Sequence, residues 1–496
     1  MTIRITGMNS GLDTDAIVSE LVSAYRAKGD KYTKAQTKLS WTQGVWKSLN
    51  TKIFNFYKSL DNLRLGNTVS KKTTVSDSTK ATVTASSSAV SGTQTLKIDS
   101  LAKGGYLTGA ELKKTSASSK DSKLSSSSTL SELGISGEGT IKIAGSEGSK
   151  DIKVSGDMKI SDLVKQINES GTGVKASFDS DNQRFFISSE KTGKENDFKI
   201  TGSDTKGIAA LDKLGITNGT KVEATDAKIT LNDVEYTSSS NTFKINGLTI
   251  QAQAVTDGEV SITTDTDVQG MYDKIKNFLS DYNSLINEMS SLYNAESSKG
   301  YEPLTSDEKE AMSDSDIAEW EKKIKDSLLR RDNTLSGIMS AMTTAMSSSV
   351  TVNGKSYSLS SLGIKTLGYF SSGKNEKNAY HIDGDADDES TSGNQDKLME
   401  MLTSDPEAVA EIIKGVASNL YKNLDSKMKS TTLRSAYTVY NDKEMAKSYS
   451  DYTTTIKEWN KKVEEIEDSY YKKFSAMETA LAKLQNQMSS FTSMLG

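Results

Sequence analysis

The stretch IKEWNKKVEEIEDSYYKKFSAMETALAKLQNQMSSFTSML, residues 456–495, decides the reading of this chain. Ile456, Trp459, Val463, Ile466 and Tyr470 recur at alternating steps of three and four. Phe474, Met477, Leu481, Leu484, Met488, Phe491 and Leu495 continue the pattern. Such spacing puts one apolar stripe along a helix and predicts burial against a second helix, as in a coiled coil. Two successive four-residue steps meet at Tyr470 and predict a stutter that relaxes the supercoil there. No Pro or Gly falls between Val416 and Leu495. At about 1.5 Å per residue this segment spans roughly 60 Å.

The opposite end offers a partner. Residues 12–65 contain no proline and only Gly29 and Gly44 as internal glycines. Asp13 fits an N-cap, with Leu12 stapling onto Ile17. Trp46, Leu49, Ile53, Phe56, Leu60 and Leu63 form a heptad seam. Before it, Leu21, Tyr25, Tyr32 and Leu39 recur more loosely.

Between the ends, residues 71–270 hold most of the 35 glycines and none of the four tryptophans. Strand signals dominate. Ile141 and Ile143, then Ile152 and Val154, alternate around the loop GSEGS and predict a hairpin. Asn246-Gly247, between Phe243/Ile245 and Leu248/Ile250, predicts a second one. Ile160, Leu163, Val164 and Ile167 share one helical face, with Ser161 as the expected cap. Residues 115–131 are Ser-rich and read as a mobile loop. Leu-Gly-Ile recurs at Leu133, Leu214 and Leu362, as possible strand entries.

Residues 271–496 return to helix. Tyr272, Ile275, Leu279, Tyr282, Ile286, Met289 and Tyr293 line one seam. A second helix starts at Thr305, with Glu308 closing a capping box, and carries Ile317, Trp320, Ile324 and Leu328. A third starts at Pro406 and continues through Ile413, Val416, Leu420 and Leu424. Residues 350–395 read as loop and short strand.

Composition narrows the function. Only 34% of the 496 residues are hydrophobic, too few for one large spherical core. The net charge of −5 supplies no basic field for nucleic acid. No apolar run approaches the roughly 20 residues of a membrane span. With no cysteine, disulfides and thiolate chemistry are excluded. The opening MTIRITGMNSGLD lacks the pattern of a cleavable secretory signal. Chemistry is sparse: His381 is the sole histidine, and no nucleophile elbow, Walker loop or dinucleotide fingerprint occurs. Ser100–Lys103 and Ser371–Lys374 match S-x-x-K as chance would provide in a Ser- and Lys-rich chain. Asp383, Asp385, Asp387, Asp388 and Glu389 space like a calcium loop. However, Asp388 stands where that loop needs Gly and Asn394 where it needs Glu, so a solvated loop is the better reading. The expectation is a non-enzymatic assembly protein with no metal or cofactor.

Several blocks then fall in a familiar order. GLDTDAIVSELV (11–22), SGTQTLKIDSLAKG (91–104) and DAKITLNDVEYTSSSNTF (226–243) resemble the flagellar hook-associated protein 2 family. So do PLTSDEKEAMSDSDIAEWEKKIKDSLLRRD (303–332) and YYKKFSAMETALAKLQNQMSSFTSML (470–495). Residues 141–201 resemble a flagellin hook motif, with Ile167-Asn168 at its name pair. The acidic segment 383–393 looks longer than the family's usual link there, and the Ser-rich stretch 115–131 has no counterpart.

The resemblance implies an α+β multidomain fold with coiled-coil legs (1–45 and 452–496) and a helical stem (46–70 and 271–451). It implies a β-rich head in two parts, 71–108 with 222–270 and 109–221. It further implies a secreted protein, exported by the flagellar type III system, that caps the distal filament tip. There it would retain exported flagellin and promote its polymerisation. The implied partners are further copies of itself in a ring of about five, flagellin and the hook–filament junction proteins. An export chaperone on the carboxyl-terminal helix, and host mucin or glycan, complete the set. A tip adhesin, or a flagellin or junction protein, are the alternatives. The expected assembly seam comprises Leu21, Tyr25, Trp46, Leu49, Ile53 and Phe56 on one helix. On the other it comprises Ile456, Trp459, Val463, Ile466, Tyr470, Phe474, Met477, Leu481, Leu484, Met488, Phe491 and Leu495.

Overall fold

The computed structural model describes residues 10–66, 69–115 and 123–495, without the side chains of residues 494–495. The chain divides into two compact units. One joins the two ends, residues 1–68 and 268–496; the other is residues 69–267.

The first helix, α1 (Thr14–Arg64), starts where the Asp13 carboxylate accepts from the Ala16 amide at 3.0 Å. Leu12, the expected staple, is instead exposed. Burial changes character along α1. Val18, Val22 and Gly29 are covered in its first half; Trp46, Leu49, Ile53, Phe56, Tyr57 and Leu60 in its second.

Unit 69–267 is built on two apolar cores. One lies in a five-stranded antiparallel sheet, in the order Lys71–Val75, Val260–Thr266, Gly92–Ser100, Ala227–Leu231, Val234–Ser238. A three-stranded sheet of Thr242–Ile245, Leu248–Ala252 and Ala81–Ala85 shares that core. Residues within strands alternate inward and outward, the period-two pattern of a sheet with one dry face. Asn246 and Gly247 hold φ of +44° and +82°, as a type I′ hairpin needs, and pair Ile245 with Leu248. Asn232-Asp233, at +47° and +63°, makes a second such turn.

The other core lies between a four-stranded sheet (Thr220–Val222, Tyr106–Thr108, Arg184–Ser189, Val174–Asp179) and a three-stranded one (Gly148–Ser155, Glu138–Gly145, Lys199–Gly202). Ile141 faces Ile152 across the GSEGS hairpin. Two short helices pack here, α2 (Ile160–Asn168) and α3 (Thr205–Lys213). Helix α2 buries Ile160, Leu163 and Ile167, but Lys159 occupies the N-cap and Ser161 lies inside the helix. Asn168 closes α2 onto a strand: its Oδ1 accepts from the Ala176 amide at 2.7 Å and its Nδ2 donates to the Ala176 carbonyl at 3.0 Å.

Part of the Ser-rich stretch is ordered. Residues 116–122 lie outside the described residues, but Leu124 is buried. Gln183 clamps it, accepting from its amide at 2.7 Å and donating to its carbonyl at 2.9 Å. Composition alone hides this, because one buried leucine suffices to anchor a polar loop.

The second half of unit 1–68/268–496 contributes seven helices: α4 (Val268–Tyr293), α5 (Ser306–Glu310), α6 (Asp314–Asp326), α7 (Asn333–Met346), α8 (Lys397–Ser404), α9 (Pro406–Met428) and α10 (Asp442–Leu495). The helix expected from Thr305 to Leu328 is two. Thr305 and Glu308 do form the capping box, but the Ser313 hydroxyl accepts from the Asp316 amide and starts a new helix. The Pro- and Gly-free run after Val416 is also interrupted, at residues 429–441. There Asn50 accepts from the Val439 amide at 2.8 Å and Asp442 from the Ser435 amide at 2.7 Å. Side chains thus offer this Ser/Thr-rich backbone an alternative to helical hydrogen bonds.

The three Leu-Gly-Ile sites share a different logic from strand entry. Gly134, Gly215 and Gly363 all have φ between +68° and +80°, the left-handed residue that ends a helical turn. Only Ile364 opens a strand.

Candidate assembly interface

Helices α1 and α10 pack along each other, and the sequence sets their contact. Val18 and Val22 of α1 and Val463 of α10 form its dry centre. Trp459, Ile466, Tyr470, Tyr471 and Phe474 pack around them. Valines four apart share a helical face, so this register uses Val18/Val22. Leu21 and Tyr25, the residues singled out from the sequence, are 42% and 37% exposed. They lie on the adjacent face of α1.

Gly29 fixes the register. Its missing side chain is where the Trp459 indole sits; a Cβ there would stand 2.7 Å from Trp459 Cδ1. The indole Nε1 donates to the Tyr25 carbonyl at 2.8 Å, and its ring lies 6.2 Å from that of Tyr32. Polar contacts extend the pairing. Arg26 meets Glu467 at 2.9 Å, the Tyr471 hydroxyl donates to Asp15 at 2.8 Å, and Gln36 donates to Thr453 at 2.6 Å. Glu478, buried at the far end, accepts from the Ser10 amide at 3.2 Å.

The other seam residues separate into distinct places. Trp46, Leu49, Ile53 and Phe56 belong to the interior of their own unit. Trp46 stacks on Tyr440 at 5.4 Å, and Phe56 on Phe278 at 6.3 Å. Ile456 is half-buried, as are Met477 and Leu481. Beyond them Leu484, Met488 and Phe491 are 56%, 71% and 70% exposed. The side chain of Leu495 lies outside the described residues. One heptad stripe therefore begins in contact with α1 and is exposed beyond Leu481. The bare part is an apolar face at the end of a helix about 80 Å long by its 54 residues.

The acidic loop is only partly solvated: Asp387 and Glu389 are exposed. Asp383 and Asp385 are buried. Lys276 of α4 reaches Asp385 at 2.7 Å and Asp387 at 2.6 Å, and Lys365 reaches Asp383 at 2.9 Å. His381 Nδ1 lies 2.5 Å from Asp388, which burial pushes up but this bond and the Ser390 amide hold below the usual carboxylate range. Asp383, Asp385, Asp387 and Asp388 are thus engaged in holding the loop to α4 and its neighbours, while Glu389 is exposed. Among the described residues no group of His, Cys, Asp and Glu is arranged to hold a metal ion. None of the described helices is long and apolar enough to cross a membrane.

Three family models match the chain. Flagellar hook-associated protein 2 C-terminus covers residues 224–486, flagellar hook-associated protein 2 N-terminus covers 10–104, and the flagellin hook IN motif covers 140–191. Flagellar hook-associated protein 2 of Halalkalibacterium halodurans is 23% identical over 87% of this chain and 83% of its own length. The protein of the same name from Thermotoga maritima is 25% identical over 66% of this chain and 50% of its own. The flagellar cap protein FliD D1-D2-D3 domains from Escherichia coli superpose with a TM-score of 0.53. That likeness, at 23% identity, covers 79% of this chain and 97% of that one, and shows a shared multidomain α+β fold. With one of these models spanning more than half of its residues, the chain belongs to the flagellar hook-associated protein 2 family.

Proposed function

We propose that this chain caps the distal tip of a bacterial flagellar filament, retaining exported flagellin and promoting its addition to the growing end. The observation that carries the reading is the uncovered stripe Leu484–Met488–Phe491, continuing a face that α10 otherwise buries on α1. An exposed apolar helical face of this kind marks a contact site, and each Leu, Met or Phe that a partner buries contributes roughly 1.5–3 kcal/mol. Helices of neighbouring copies and of flagellin at the tip are the partners the cap reading supplies. Residues 1–45 and 452–496 act as legs, 46–70 and 271–451 as the stem, and 71–270 as the head. Five copies form the ring. Before assembly, the same stripe suits an export chaperone, and passage is through the flagellar type III channel. The role is mechanical and requires no catalytic group.

Deleting the gene tests this. Loss of a cap leaves cells that release monomeric flagellin into the medium, whereas loss of flagellin itself leaves none there. Full-length filaments on the deletion strain, with no flagellin in the supernatant, would overturn the reading.

A further inference from the structure

Two adjacent aromatic side chains stand in solvent on the loop between the strands Ile364–Lys365 and His381–Ile382. Tyr369 is 69% exposed and Phe370 98%. Their rings meet edge-on at 5.4 Å, and the Lys377 ammonium lies 3.4 Å from the Tyr369 ring centre. The loop is tied to α4. Asn283 donates to the Tyr380 carbonyl and accepts from its amide, both at 2.7 Å, and Asn294 reaches Asn375 at 3.4 Å.

A groove of about 490 Å³ runs between α1 and α4, over the buried rings and methyls of Phe56 and Leu285. Lys52, Asp281, Ser284 and Glu288 form its rim, and it continues past Ser59 and Asp281 towards Phe278. Asp281, Ser284, Leu285 and Glu288 make one helical stripe. Asn283, which holds the aromatic loop, lies roughly 150° around α4 from it at 100° per residue. Knob and groove thus occupy different sides of the same helix, so Phe370 and the groove face different neighbours.

We propose that Phe370 of one copy enters the Phe56–Leu285 groove of a second copy, giving a head-to-tail contact between chains. Such a heterologous contact, repeated, builds a ring if its rotation closes. Charge complementarity favours a second copy as the occupant. Asp281 on the groove rim and Lys374, four residues from Phe370, are both without a bonded partner among the described residues, and docking brings opposite charges together. A phenyl ring seated over apolar side chains at a contact centre buries a large area and contributes strongly to binding. The proposal rests on the cap reading for self-association and adds which faces meet.

Sedimentation velocity on the full chain over a range of concentrations tests it. Phe370→Ala and Ser284→Arg change exposed positions only, so each keeps the wild-type circular dichroism spectrum. Each weakens self-association by roughly 30-fold, the equivalent of about 2 kcal/mol for a contact-centre residue. Because each variant keeps the half that the other lacks, an equimolar mixture associates more tightly than either alone. Wild-type association by Phe370→Ala, or a mixture no tighter than its components, overturns this contact and leaves the cap reading standing. A wild-type chain that stays monomeric at every concentration overturns both.

Discussion

Replacing Gly29 by alanine should have opposite effects depending on what stands at position 459. In the wild-type chain the new methyl would lie 2.7 Å from Trp459 Cδ1, so the indole must move. Moving it overpacks the contact, at about 1–3 kcal/mol, and strains the 2.8 Å bond to the Tyr25 carbonyl, worth about 1 kcal/mol. Against this, alanine in a helix interior gains about 1 kcal/mol over glycine. The net effect is a loss of roughly 1–2 kcal/mol. With Trp459→Ala in place the notch is empty, and Gly29→Ala should stabilise α1 by about 1 kcal/mol. The change of sign implies a coupling of roughly 2–3 kcal/mol between the two sites. Hydrogen exchange of α1 amides around Gly29 is the suitable assay, since it reads local opening in a chain of several units that need not unfold together. Equal effects of Gly29→Ala in both backgrounds would refute the idea that this notch sets the register of α1 on α10.

Three further outcomes follow from particular contacts. Lys276→Ala leaves Asp385 buried without its ammonium and should cost about 2–3 kcal/mol, seen as faster exchange in the acidic loop and α4. Asp383 is pushed up by burial, but its bonds to Lys365 and Asn394 outweigh this and hold it below its ordinary value; Asp388 is depressed too. Groups depressed in the folded state stabilise it above their unfolded pKa and lose that contribution as pH falls through the folded one. Protection of residues 381–394 should therefore decline as pH drops below about 4, while a loop already fully exchanged at neutral pH would contradict it. Gln183→Ala removes both bonds that hold Leu124 and should free the segment from Lys123 to Ser128 at about 1–3 kcal/mol, measurable as a new protease-sensitive site.

What could be read from residues alone was whatever depends on local geometry. Asn246-Gly247 announces its turn because both positions need positive φ. Asp13, Thr305 and Pro406 announce helix starts through the orphan amides of a first turn. The pairing register was not readable, because Leu21/Tyr25 and Val18/Val22 repeat with the same spacing; only the Gly29 notch, seen with Trp459 in it, separates them. Helix α7 did leave a signal. Asp332 caps it, and Leu335, Ile338, Met342 and Met346 share one buried stripe, diluted by Ser, Thr and Ala between them. Burial of Asp385 in the acidic loop was not legible because its cation is Lys276, more than 100 residues away in sequence. The exposed end of α10 could not be told from its buried part, since the heptad is the same on both sides of Leu481.

The most direct measurement places the protein on the filament. Purified full chain carrying a gold label, added to filaments from a strain lacking the gene, should appear by electron microscopy at the distal end alone. The same chain with Met488→Glu and Phe491→Glu should keep its folded units and leave that end bare. Label scattered along the filament, or tip binding unchanged by the two substitutions, would contradict a cap held through the exposed stripe of α10.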